Sequence, residues 1–346
     1  MIGFVAAAAG CVTDVVLNNA QTNIIFWSAM SHPWDDCAPS SAQSTGATQS
    51  VALGVMKNLA TLNFNIINVN SGRPSGLYRS VIGGIYHAGE EDLPGLLQNA
   101  SHVVDIRQPL NPRFVVPSST RRIHWIHDPH KYNSMKDFSV YDAVVCLSRP
   151  QCHLWRAYFR GTHFVRIPNL VNLENIGPPN MTFDRFQIVS TTSKVNMNTF
   201  QQIVNGLRLV DPRFHAVVVA PSYKHHNIQG AHEGIEFLGA VGHADVLALV
   251  RNSLANVYPK TFQENYPATY VEANSLGTPM LTNSVRGSPE EELLTEEQIL
   301  PELAAPEDYV SRLVDWATDK QRPWVDGSRY ESNQDIKLKW RRVLRV

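Results

Sequence analysis

The sequence predicts an α/β protein with parallel, doubly wound sheets in two domains. Three observations carry this. Short apolar runs at 23–30, 64–69, 102–107, 214–220 and 255–258 have the length and branched composition of buried parallel strands. Helical spacing separates several of them, at 51–62, 197–209 and 243–252. The chain has 346 residues, enough for two domains of ordinary size.

Composition narrows the class. Hydrophobic residues make up 43% and charged residues 18%, the balance of a globular chain. The formal net charge of −1 and the lack of a basic stripe argue against nucleic acid as a partner. No apolar run approaches the ~20 residues that a membrane helix needs, so no transmembrane segment is expected; peripheral membrane contact stays open. The apolar start, MIGFVAAAAGCV, lacks the basic residues that open a signal peptide. Cys11, Cys37, Cys146 and Cys152 show no paired metal spacing, which suits free thiols and a cytoplasmic, reducing setting. The sequons at Asn99 and Asn180 read as chance. Residues 1–20 suit a short helix or an extra strand. Oligomeric state is not legible.

The segment 255–291 is the most informative. An apolar run, 255–258, precedes a polar loop carrying Glu264. Pro267 suits the first position of a helix, where a missing N–H costs nothing. That helix carries Glu272 and stops at Gly277, and a new apolar run begins at Met280. Glu272 then lies about two turns in, roughly 8–10 Å along the axis. Between the two carboxylates the helix N-terminus offers unpaired N–H groups and a partial positive charge, a seat for phosphate. Acceptors on either side of an anion seat suit a nucleotide sugar; two surface glutamates on a solvated helix are the plain alternative.

This segment resembles the donor-site signature of the retaining GT-B glycosyltransferases, family four in particular. The matching residues are Val257-Tyr258-Pro259, Glu264, Tyr266, Glu272-Ala273 and Gly277-Thr278-Pro279. The resemblance implies that Glu264 lies against the donor sugar as a catalytic residue. It implies that Glu272 binds the ribose, and that Asn265, Tyr266, Pro267 and Ala268 line the donor seat. The family often has glycine where Asn265 and Pro267 stand, so here the phosphate seat must draw on other amides.

Other segments extend the resemblance more loosely. The strand 23–30, a polar loop with Gly46-Ala47, and the helix 51–62 read either as an anion-binding turn of the GT-B type or as a plain βα turn. The run RRIHWIHDPH ends a strand in His127-Asp128; the resemblance gives His127 a place facing the donor sugar. His124 and His127 point to opposite faces of a strand, so a zinc site with His130 is not expected. The run 141–147 resembles the last strand of the first domain, and 164–169 the entry to the hinge. After the strand 186–190 the family carries a Gly-Arg pair and then a Lys. This chain has Thr191-Thr192-Ser193-Lys194, with no Arg; Lys194 is the nearby base, and Lys260 a possible substitute. The backbone at Ala240 and Val241 would meet the nucleobase.

No Gly-x-Gly-x-x-Gly follows a strand and no Walker loop is present, which counts against a nicotinamide or P-loop enzyme. No Asp-x-Asp occurs, which suits a metal-independent enzyme. The expectation is therefore a GT-B protein of two Rossmann-like domains facing across a cleft. The first spans 1–169 and the second 170–330, with a terminal helix in 331–346 packing back toward the first. The implied activity is retaining transfer of a hexosyl or pentosyl group from a nucleoside diphosphate sugar to a hydroxyl on a glycan or similar acceptor, with no cofactor and no metal. A catalytically silent nucleotide-sugar-binding module is the alternative.

Overall fold

The computed structural model describes residues 11–12, 17, 21–29, 47–71, 75–80, 84–128, 137–171, 182–192, 194–219, 233–239, 241–319, 323, 325 and 329–346. The chain divides into two compact units, Met1–Leu170 with Ser332–Val346, and Val171–Glu331.

The first unit begins with β1 (Cys11–Val12), β2 (Asn23–Ser28), α1 (Ala47–Ala60) and β3 (Asn65–Asn70). Next come β4 (Tyr78–Ser80), β5 (Tyr86–Gly89), α2 (Leu93–Leu97) and β6 (His102–Ile106). β7 (Arg121–Trp125), β8 (Ala143–Cys146), α3 (Arg149–Tyr158) and β9 (Phe164–Arg166) follow. The sheet order is β1-β4-β5-β3-β2-β6-β7-β8-β9. It is parallel from β5 to β9, with β4 and β1 added antiparallel at one edge. Winding starts at β2, steps out through β3 to β5, then reverses to β6. Strands buried on both faces are largely apolar, which is why β2 is legible in the sequence, and β6 too, although it also buries His102 and Asp105. Residues 78–97 carry short elements that the sequence reading did not resolve. α3 was also unread, although Ser148 caps it by accepting from Gln151 N–H and Pro150 stands in its first turn.

Among the described residues, the second unit is built on a six-stranded, wholly parallel sheet. Its elements are β10 (Asp184–Ser190), α4 (Met197–Val210), β11 (His215–Val218), β12 (Ile235–Phe237), α5 (His243–Asn252) and β13 (Ser253–Tyr258). They continue with α6 (Ala268–Ser275), β14 (Met280–Asn283), α7 (Glu290–Leu293), β15 (Ile299–Leu300) and α8 (Pro306–Thr318). The order is β12-β11-β10-β13-β14-β15, so the chain winds outward from β10 in one direction and then in the other. Gly206 on α4 lets α8 approach closely: a Cβ there would fall 2.8 Å from Val310 Cγ2.

The last helix, α9 (Asn333–Leu344), belongs to the first unit. Trp340 packs its ring 4.8 Å from Trp125 and 6.1 Å from Phe26. His102 Nε2 lies 2.6 Å from Leu344 O, and Arg121 Nε donates to Val343 O at 2.9 Å.

Two readings need correction. Cys146 and Cys152 are joined as a disulfide rather than left as free thiols, with Cα atoms 5.4 Å apart. Cys146 ends β8 and Cys152 sits in the first turns of α3, so the strand-to-helix turn brings six-residue neighbours together. The cytoplasmic expectation loses that support. Pro267 is the N-cap of α6, with ψ of 118°, rather than its first residue. Glu272 is therefore the fifth residue of α6, about 6 Å along the axis rather than two turns in. Gly277 takes φ of +74° just past the helix end, as its stop position requires.

Candidate functional site

In an open parallel sheet, ligands bind beyond the carboxyl ends of the strands, where the winding reverses. In the second unit that point lies between β10 and β13. Thr191, Thr192 and Lys194 follow β10; Pro259 to Glu264 follow β13. Side chains tie the two loops together. Asn256 Nδ2 donates to Thr191 Oγ1 at 2.9 Å, and Asn196 N donates to Pro259 O at 2.9 Å. Tyr258 O–H donates to Glu264 Oε1 at 3.1 Å and shares a hydrogen bond with Thr192. Burial, then the nearby Glu264 charge, pushes the Tyr258 phenol far up, so it stays a donor. Lys194 Nζ stands 3.7 Å from Glu264 Oε1 and 5.2 Å from the Phe262 ring. The Lys194 side chain is 61% exposed and that of Glu264 20%. The Glu264 N–H donates to Ser288 Oγ at 2.9 Å, and Gln263 Nε2 to Gly287 O at 2.9 Å, so the loop after β14 fixes the loop after β13.

Beyond Glu264 the chain runs through the buried Asn265, Tyr266 and Pro267 into α6 at Ala268. Among the described residues no side chain caps α6; Tyr270 N–H donates to Pro267 O at 3.2 Å, and the positive end of the helix dipole lies at this N-terminus. Glu272, one turn further, meets His243 at the start of α5: Nε2 to Oε1 is 3.0 Å. Val241 lies two residues before His243, in the loop after β12. Ser193, Ala240 and Gly46 lie outside the described residues, and Ala47 is the first residue of α1.

Lys260 has a different setting from Lys194. Its side chain is fully buried and pairs with Glu290 on α7. Its ammonium also lies 5.7 Å from the Tyr270 ring, and Tyr270 O–H reaches Glu290 Oε1 at 3.4 Å. Burial pushes the lysine down and the glutamate up, and their mutual attraction opposes both shifts. Lys260 is thus half of a buried, neutralised pair.

In the first unit, His127 follows β7, half-buried, with its ring 4.5 Å from that of Trp125. Burial, then the charge of Arg107, lowers its pKa to about 3, so it acts at neutral pH as an uncharged ring. Asp128 beside it holds Arg107 through two hydrogen bonds, 2.6 and 3.0 Å. His124 is fully buried on β7, between the rings of Phe138 and Tyr141. Among the described residues no group of His, Cys, Asp and Glu could hold a metal ion, and no helix is long and apolar enough to cross a membrane.

Sequence reasoning missed Tyr258, Ser288, Glu290 and His243 as site neighbours. Tyr258 was read as the strand end of the donor-site signature, without its contact to Glu264. Of three consecutive glutamates, 290 to 292, the pattern does not say which turns inward. His243 is 29 residues from its partner.

No protein-family model and no curated protein matches the chain. Solved structures do. Sucrose-phosphate synthase from Thermosynechococcus elongatus is similar at 14% identity over 94% of this chain and 98% of that one, with a TM-score of 0.64. HepE from Anabaena, solved with UDP and glucose, is similar at 12% identity over 94% of this chain and 100% of that one, TM-score 0.64. A glycosyltransferase from Rickettsia africae is similar at 13% identity over 94% and 98%, TM-score 0.61. At such identities the likeness is one of fold, and with the strand orders above it defines that fold: the chain has the GT-B fold of two Rossmann-like α/β domains.

Proposed function

We propose that the protein transfers a sugar from a nucleoside diphosphate sugar to a hydroxyl acceptor, with retention and without a metal ion. The observation that carries this reading is the pair Glu264 and Glu272 flanking the open N-terminus of α6, at the reversal point of the second sheet. Glu272 takes the ribose hydroxyls. The N–H groups of α6 and the exposed Lys194 take the diphosphate, with the loop 191–194 beside them. Glu264, set by Tyr258, Lys194 and Ser288, meets the sugar and stabilises the positive charge that builds as the bond to phosphate breaks. The leaving phosphate oxygen takes the acceptor proton on the same face. His127, uncharged, serves as a hydrogen-bonding group on the acceptor side.

The test is to incubate the protein with UDP-, GDP- and ADP-linked sugars and follow nucleoside diphosphate release with and without hydroxyl acceptors. Release that depends on both partners supports the reading. A second reading, a silent module that binds the donor without turnover, is favoured by the missing Arg after β10. Binding without release from any donor would select it.

Two variants probe the donor seat. Glu272→Ala is expected to weaken nucleoside diphosphate binding by the ~1–3 kcal/mol of a lost buried acceptor, with the fold intact. Calorimetry checks this, and parent-like affinity would remove Glu272 from the seat. Lys194→Ala is expected to raise the Kd about tenfold, the loss of one charge-assisted contact. If it binds like the parent, backbone amides and hydroxyls hold the diphosphate alone.

A further inference from the structure

We infer that His243 is a positioning residue for the ribose: it holds one oxygen of Glu272 so that the other is presented to the sugar hydroxyls. This rests on the reading of Glu272 as the ribose acceptor and adds to it a residue from a different element.

The geometry is specific. His243 is the first residue of α5 and follows the loop after β12; Glu272 lies on α6. Their contact, Nε2 to Oε1 at 3.0 Å, joins those two segments. The imidazole is 60% exposed while the carboxylate it holds is 18% exposed. An exposed ring adds little to a core, and an isolated surface pair adds little to stability. What the contact does is orient a mostly covered carboxylate. With Oε1 engaged, Oε2 is left for a ligand, and the side chain no longer has to be ordered when the ligand arrives.

Among the described residues the surrounding charges are few. On α5 the others are Asp245 in the first turn and Arg251 in the last. α6 and β13 carry no charge besides Glu272. On β10, Asp184 and Arg185 lie at the opposite end, where Asp184 pairs in register with Ser253, just past α5. Glu272 is therefore the charge that governs His243, and its hydrogen bond raises the histidine's pKa.

The experiment measures binding of UDP, GDP and ADP to the parent, then of the tightest binder and its 2′-deoxy counterpart to four variants, Glu272→Ala among them. His243→Ala is expected to weaken the ribonucleotide about tenfold, one hydrogen bond to a charged group. It should weaken the 2′-deoxy compound less, because that ligand already lacks part of the contact. His243→Gln, which keeps a donor, should recover most of the loss. The double variant His243→Ala with Glu272→Ala should bind like Glu272→Ala alone, since the histidine acts through the glutamate. Parent-like ribonucleotide binding by His243→Ala, or equal weakening of both ligands, overturns the inference while Glu272→Ala still reports on the donor seat. Absence of binding in the parent, or an unaffected Glu272→Ala, overturns the ribose reading and this inference with it.

Discussion

Glu264→Gln is expected to lower kcat by about a hundredfold, the usual cost of one aimed electrostatic group in a closed site. Donor affinity should change far less. The substitution keeps the size of the side chain and an oxygen that can accept from Tyr258 O–H, now 3.1 Å from Glu264 Oε1. The backbone N–H to Ser288 is untouched. What goes is the negative charge. That charge matters most when positive charge builds at the sugar carbon, which happens only in the transition state. The loss should therefore appear in kcat rather than in the Kd of the donor. Lys194, 3.7 Å from the same oxygen, loses its partner as well, so a small gain in its reach for phosphate is expected. The measurement is steady-state turnover with calorimetric donor binding, parent beside variant. Equal turnover would reduce Glu264 to a structural ligand of Tyr258.

Lys260→Met is expected to destabilise the second unit by about 3–5 kcal/mol, because it leaves Glu290 buried without its counter-charge. The lysine side chain is wholly covered and the glutamate 2% exposed, so water cannot replace either partner. The backbone of Lys260 is bonded to Asn283 in both directions, N to Oδ1 at 2.9 Å and Nδ2 to O at 3.0 Å, and those bonds survive the change. The effect is thus assignable to the side chain. Replacing both partners, Lys260→Met with Glu290→Leu, should recover most of the loss, since a hydrophobic pair of similar volume often matches a buried ion pair. Tyr270 O–H keeps its partner Thr282 in the double variant. Urea unfolding of the three proteins checks this. A single variant as stable as the parent, or a double variant no better than the single, would contradict the buried pair. The same reasoning bears on the proposed donor seat: a lysine already neutralised by Glu290 has little charge to offer a diphosphate, so under that proposal the role falls to Lys194.

Much of the fold was legible because parallel strands covered on both faces are apolar along most of their length. NIIFWS and SLANVY show this directly as β2 and β13. Gly277 and Pro267 bracketed α6 because backbone angles restrict those positions to few residues. The carboxylate pair was legible for a related reason: eight residues across one loop and one helix start leave local geometry little freedom. The short strands β4, YRS, and β5, YHAG, were not read, because three or four residues show no period. β3, NIINVN, was read as the run 64–69 and is wholly buried despite three asparagines, with Asn68 meeting His87 on the neighbouring β5 at 3.2 Å.

What the sequence by itself determined was the class of fold, the identity of the loop that carries Glu264, and the helix that carries Glu272. Only the tertiary structure decided that Lys260 faces Glu290 while Lys194 faces solvent, that Cys146 bonds Cys152, and that His243 reaches Glu272. The physical reason is range. Backbone preference and hydrophobic period act over a few residues and leave a local trace. The partner of a charge, a thiol or an imidazole depends on which distant strands and helices the winding of the sheet sets side by side.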